Sequence, residues 1–347
     1  MQAHSSLRAT IVLLLAPMMV CGISSMPARA QQPDAPIKVQ TTLVSVPVIV
    51  SDRQGRYISG LTLRDFKLFQ DRAEQTIASF DSTEEPLNVA LLIDTSHSTL
   101  PVLDDIKSDA VRFLKELRPQ DRAMIVSFDY QVSVLSQLTS DRKVLEKAVK
   151  SARTGELPGT VLRDAVDEIA GSRFKRVEGR KAIIVLTDGK DAGSRVSEQA
   201  LIDEAAESGA MIYTVFFETG FQRRGWIDAT TFPRRRVWGR ERFPQRPQRG
   251  ERRRQRVESR NAEAIDFLTE LSEVSAGRYY SSEASDLKKT FQLIAEELRH
   301  QYRLGFYPDS AKVDGQRHSL KVEVTARDAV VRARRSYQAP DPGKDLR

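Results

Sequence analysis

The sequence is poor in the residues that most often carry out chemistry: of 347 residues, one is cysteine and four are histidine. Cys21 lies inside an N-terminal apolar run, so the chain beyond that run has no thiol for a disulfide, a cysteine nucleophile or a zinc-thiolate site. His4, His97, His300 and His318 offer no nucleophile, base and acid in a recognisable order. The apolar run itself, IVLLLAPMMVCGI (11–23), is shorter than the roughly 20 residues that cross a bilayer comfortably.

What is present is ordinary for a folded, soluble chain: 40% hydrophobic and 29% charged residues, at a length that suits about two domains. Arg8, the apolar run and Ala28-x-Ala30 have the order of a secretory leader, with cleavage expected after Ala30. Bulky Val20 before Cys21 argues against a lipoprotein. The expected destination is outside the cytoplasm, periplasmic or extracellular.

Four parts are expected: a leader at 1–30, a β-rich module at 31–84, an α/β domain at 85–302, and a β segment with tail at 303–347. In the module, Val44, Val46, Val48 and Val50 alternate with other residues, which predicts a strand with one buried face. From residue 87 the rhythm becomes strand and helix in turn. LNVALLID (87–94), RAMIVSFD (122–129), KAIIVLTDG (181–189) and GAMIYTVFF (209–217) read as strands, the first and third as continuous apolar runs covered on both faces. Val102, Ile106, Ala110, Phe113 and Leu117 form one stripe of a helix, and DRKVLEKAVKSA and VLRDAVDEIAGS read as further helices. The fold class is therefore α/β, a doubly wound, mostly parallel sheet with a small flanking β module.

Ligands of such sheets sit at the carboxyl ends of the strands. Asp94 ends one strand and Asp188 another, and Ser96 and Ser98 follow Asp94 at alternate positions. Thr160 stands in the glycine-bearing loop GELPGT, just before a helix. Two carboxylates and three hydroxyls are hard oxygen donors, suited to Mg²⁺ or Mn²⁺ rather than zinc. Taken singly, each residue is also ordinary as a helix cap or turn former. Asp104 and Asp105 fall in the first turn of the next helix, where their charge suits the dipole, and His97 is expected to face solvent.

DTSHS, the GT of the loop and TDG together resemble the metal-ion-dependent adhesion site (MIDAS) of von Willebrand factor A (VWA) domains, of the Rossmann-like type. The likeness covers about residues 86–300. VPVIVSDRQGRYISGLTLRDFKLFQD and ELRHQYRLGFYP on its flanks resemble a bacterial group of exported VWA-related proteins. The resemblance implies that Asp94, Ser96 and Ser98 contact the cation, that Thr160 joins them, and that Asp188 acts through water. It implies a non-enzymatic protein that binds an acidic side chain of a partner through an open coordination position. A phosphoryl-accepting role for Asp94, as in haloacid-dehalogenase-type enzymes, is disfavoured because Ser96 replaces the second acid.

Residues 222–260 hold 14 Arg and four acids, a charge of +10, which leaves −3 for the rest of a chain of net +7. With scattered Pro and Gly, the stretch is expected to be a long loop, the next helix beginning near Ala262. Its clusters Arg234, Arg235, Arg236 and Arg252, Arg253, Arg254 are candidates for an anionic polysaccharide or lipid surface, nucleic acid being disfavoured for an exported chain. Two rival functions follow: a polyanion-binding module, and a scaffold whose cation is purely structural. Gly277 is expected to cap a helix, and the C-terminal β segment to pair with the N-terminal module in one accessory sheet.

Overall fold

The computed structural model describes residues 43–219, 248–283, 287–309 and 314–339, with the backbone alone for 248–258. The leader, Cys21 and the cluster Arg234 to Arg236 lie outside these residues. In chain order the elements begin with β1 (Val44–Ser51), β2 (Phe66–Gln70), β3 (Ala73–Gln75), β4 (Ile77–Asp81) and β5 (Leu87–Asp94). The alternating part follows: α1 (Leu103–Glu116), β6 (Arg122–Phe128), β7 (Val132–Thr139), α2 (Arg142–Ser151), α3 (Leu162–Asp167), β8 (Arg180–Thr187), α4 (Glu198–Glu207), β9 (Met211–Glu218), α5 (Gln248–Val274), β10 (Arg278–Glu283) and α6 (Leu287–Arg299). β11 (Gln301–Phe306), β12 (Arg317–Val324), β13 (Val330–Ala333) and β14 (Ser336–Gln338) complete it.

Six strands form the central sheet in the order β10-β9-β8-β5-β6-β7, every neighbouring pair parallel except β6 with β7. All eight residues of β5 and all eight of β8 are buried, as continuous apolar runs require. Along β5 the side chains alternate between two cores: Val89, Leu91 and Ile93 face α1 and α6, whereas Ala90 and Leu92 face α3, α4 and α5. The stripe Ile106, Ala110 and Phe113 seats α1 on the first core, where Phe113 stacks on Phe291 of α6 with ring centroids 5.0 Å apart. The expected helix after Thr160 is not uniform. α3 passes into a wider π turn at Glu168–Arg173 and a 3-10 turn at Phe174–Arg176.

The Arg-rich stretch is the larger correction. Its last part is helical, because α5 begins at Gln248 instead of near Ala262, and Arg252, Arg253 and Arg254 fall on this helix. Residues 249–260 bring Arg, Gln and Glu, which favour helix, and no proline after Pro247. Gly277 does not cap α5 in the way expected. The left-handed position is Ala276, with φ 63°, and the Gly277 N–H closes the motif on the Ser272 carbonyl at 2.9 Å. Glycine is needed at 277 for a different reason, since a Cβ there would lie 1.8 Å from the carbonyl oxygen of Ile212 in β9.

The flanking segments pair with each other in two sheets rather than one, in the orders β13-β1-β11-β4 and β14-β12-β2-β3. Val44, Val46, Val48 and Val50 of β1 share a core with Phe66, Leu68, Tyr302, Leu304, Leu320 and Val322. Contrary to the single buried face expected of β1, Ile49 points the other way and is buried in the first core of the central sheet. β1 is thus covered on both sides.

Buried polar groups tie the layers together. Glu297 of α6, with no exposed surface, accepts hydrogen bonds from Tyr213 Oη at 2.7 Å, Tyr57 Oη at 3.2 Å and the Arg332 guanidinium. It thereby joins α6, β9, β13 and the segment after β1. At the amino end of β8, buried Arg180 donates to the carbonyls of Thr83 at 2.8 Å and Glu85 at 2.6 Å, and to that of Leu298. In the second accessory sheet, Asp71 and Arg72, with φ 47° and 72°, make the tight β2–β3 turn. His318 of β12 lies between two acids, Nδ1 2.7 Å from Asp71 and Nε2 3.0 Å from Asp314. Burial alone would lower the His318 pKa, but the hydrogen bonds and charges of Asp71 and Asp314 outweigh it and raise it above 6.5.

Two outcomes are expected. Glu297→Ala leaves Arg332 without its buried partner and should cost about 3 kcal/mol in urea unfolding; a loss below about 1 kcal/mol would show that the network contributes little. Charged His318 stabilises the fold fully below pH 6.5, and this contribution is lost as pH rises through the elevated folded value. His318→Gln should therefore cost about 1–2 kcal/mol near pH 5.5 and clearly less near pH 9; equal losses at both would contradict the pairing.

Candidate metal centre

Asp94 and Asp188 meet because their strands pair directly. In the parallel ladder of β5 and β8, Ile93 stands opposite Leu186, so Asp94 is level with Thr187 and next to Asp188. The Thr187 hydroxyl donates to Asp94 Oδ2 at 2.8 Å, and the Ser96 N–H to Asp94 Oδ1 at 2.9 Å. Both acids are buried, Asp94 completely. Burial first, and the charge of Asp188 second, push the Asp94 carboxyl up to about 7, beyond what the bonds from Ser96 and Thr187 offset.

The loop after β5 is folded by its own hydroxyls. Thr99 Oγ1 donates to the carbonyls of Asp94 and Ser96, each at 2.9 Å. This curl brings Ser96 Oγ and Ser98 Oγ within 3.1 Å of each other, while His97 is exposed, as the sequence predicts. Asp94, Ser96 and Ser98 are therefore one cluster. Asp188 receives the Thr219 hydroxyl at 3.3 Å on Oδ2, and the Lys190 ammonium contacts the same oxygen.

Thr160 is buried in the loop between α2 and α3, and its hydroxyl has no hydrogen-bond partner among the described residues. Hydrogen bonds connect its loop directly to the loop after β8 and, through Asp129, to the loop after β5. Its carbonyl accepts the Ala192 N–H at 3.0 Å, and the Val161 N–H donates to the Asp129 carbonyl at 2.7 Å. Asp129, at the end of β6, is the brace: its carboxylate takes the Thr95 hydroxyl at 3.3 Å and the Gly155 N–H at 3.0 Å. A side chain at Gly155 would displace the Asp129 carboxylate, since a Cβ would lie 2.6 Å from Asp129 Oδ2. Asp129, Thr187 and Lys190 were not among the sequence candidates. The signal for Asp129 was present, because SFD also ends a buried strand in an acid.

The donor set fits a hard divalent cation. Among the described residues no group of three or more His, Cys, Asp or Glu comes together, so a cation here would have only Asp94 and Asp188 as charged ligands. Two buried acids side by side need a compensating positive charge, and small oxygen donors surround Asp94. Beside them opens a cleft of about 820 Å³, bounded by His97, Ser98, Asp188 and Lys190 on the loop side and by Ala264 and Phe267 of α5 on the other. Its size is in the range of clefts that hold ligands.

A doubly wound sheet with an acid-and-hydroxyl cluster at its carboxyl edge defines a class of Rossmann-like binding domains. Residues 88–226 match the von Willebrand factor type A domain, and the doubly wound sheet is of the VWA type. No curated protein matches the sequence. Among solved structures, the conserved hypothetical protein BatB from Bacteroides thetaiotaomicron is similar, at 20% identity over 61% of this chain and 97% of that one, with a TM-score of 0.42. The vWF domain of the type V pili tip protein Mfa5 from Porphyromonas gingivalis is 14% identical over 61% and 94%, with a TM-score of 0.42. Proximal thread matrix protein 1 from the mussel byssus, in a form with a zinc-occupied MIDAS motif, is 14% identical over 65% and 48%, with a TM-score of 0.45.

Asp129→Ala should cost about 1–3 kcal/mol and speed amide exchange at Gly155 while β9 stays protected; unchanged exchange at Gly155 would remove Asp129 from the role of brace.

Proposed function

We propose that the protein is an exported binding protein whose VWA domain holds Mg²⁺ or Mn²⁺ at Asp94, Ser96, Ser98, Thr160 and Asp188 and uses the cation to bind an acidic side chain of a partner protein. The observation that carries this reading is the buried pair Asp94 and Asp188, two acids at one sheet edge beside hydroxyl donors. With two carboxylates and neutral hydroxyls, a bound divalent ion keeps attraction for one more anionic oxygen. Such a site binds and does not turn over. Export rests on the leader-like sequence at 1–30; among the described residues no helix is long and apolar enough to cross a membrane. The Arg-rich stretch, with Arg234 to Arg236 and Arg252 to Arg254, adds a separate, salt-sensitive contact for an anionic polysaccharide or lipid surface.

Calorimetric titration of the metal-stripped protein with MgCl₂ and MnCl₂ tests the reading. Heat that saturates near about one equivalent is expected, with a matching rise in melting temperature. Asp94→Asn should abolish both, because the amide removes the charge that draws the cation while keeping the shape of the side chain. Equal heats in wild type and variant would overturn the assignment of Asp94.

A further inference from the structure

Lys190 is, among the described residues, the one cation in contact with either candidate acid, and its ammonium lies on Asp188 Oδ2. The two partners differ in their freedom. The Asp188 side chain is 1% exposed and also held by Thr219, whereas the Lys190 side chain is 45% exposed and lines the open cleft. The other basic group on the loop side of the cleft, Arg163, is already engaged by Asp191 and Glu198.

We propose that Lys190 is a resident substitute for the metal: it neutralises Asp188 in the cation-free protein and must swing into the cleft when a divalent ion binds. This rests on the cation site assigned above. The oxygen that carries the Lys190 ammonium, Asp188 Oδ2, also takes the Thr219 hydroxyl, so a divalent ion drawn to that oxygen displaces the ammonium, and Lys190 has room to leave. The exchange has two effects. It keeps the acid pair from standing uncompensated without metal, and it weakens cation binding by the strength of the ion pair that is broken. The released ammonium stays tethered at the cleft wall and adds positive charge where an acidic partner would enter. A VWA site so arranged is set for a cation-rich setting, with Lys190 deciding the threshold.

The full-length protein, Lys190→Met and Asp94→Asn serve as the test, with MgCl₂ and MnCl₂ as the only added ligands. Lys190→Met should bind the cation about three- to tenfold more tightly, since no ammonium competes. In the wild type, acetylation of Lys190 by acetic anhydride, followed by peptide mass spectrometry, should speed up severalfold on adding the cation, and Asp94→Asn should show no change. Cation binding of equal or lower affinity in Lys190→Met would overturn the proposal while leaving the metal site standing. So would unchanged labelling of a wild type that demonstrably binds the ion. No heat in either wild type or Lys190→Met would bring down the cation site and the proposal together.

Discussion

The parallel register of β5 with β8 is the constraint on which the rest of the molecule turns. Strands buried on both faces cannot slip without moving apolar side chains from one core to the other. That register, with Ile93 opposite Leu186, forces the acids that end the two strands into one small volume. Both acids are buried at that edge. Nearby charge and hydrogen bonding must therefore be arranged to tolerate them, and the carboxyl edge supplies that arrangement from Ser96, Thr187, Thr219 and Lys190.

The opposite end of the sheet is closed. Arg180, at the amino end of β8, holds the β4–β5 connection and the end of α6, and Glu297 ties α6 to β9 and to β13 of the accessory sheets. The accessory sheets are built from chain segments far apart in sequence, β1 pairing with β11 and β13, and β2 with β12. Their packing fixes the base of the central sheet while the carboxyl edge stays open to the cleft. A rigid base and an open edge are what a binding site on loops needs.

Much of this was legible in the residues. Continuous apolar runs announced β5 and β8, the acids at their ends stood out because an acid seldom closes a buried strand, and the stripe of α1 followed from helical spacing. Asp129 was legible in principle, since SFD repeats the same signature. Other features were not. Ala276 takes the left-handed position at the end of α5, and Gly277 is required by the approach of Ile212, a residue 65 positions away. The extension of α5 back to Gln248 was hidden because a dense run of like charges reads as disorder when its helical context is unseen.

The sequence by itself determined the α/β class, the order of strands and helices, and the residue types offered at the strand ends, because these follow from periodicity and local chemistry. The tertiary structure alone decided which residues are neighbours. It set the single-file order of the central sheet, the division of the flanks into two sheets, the brace from Asp129 to Gly155, and the contact of Lys190 with Asp188. Each depends on distance in space between groups whose separation along the chain carries no information about it, and a carboxylate's role is set by the charges that packing brings beside it.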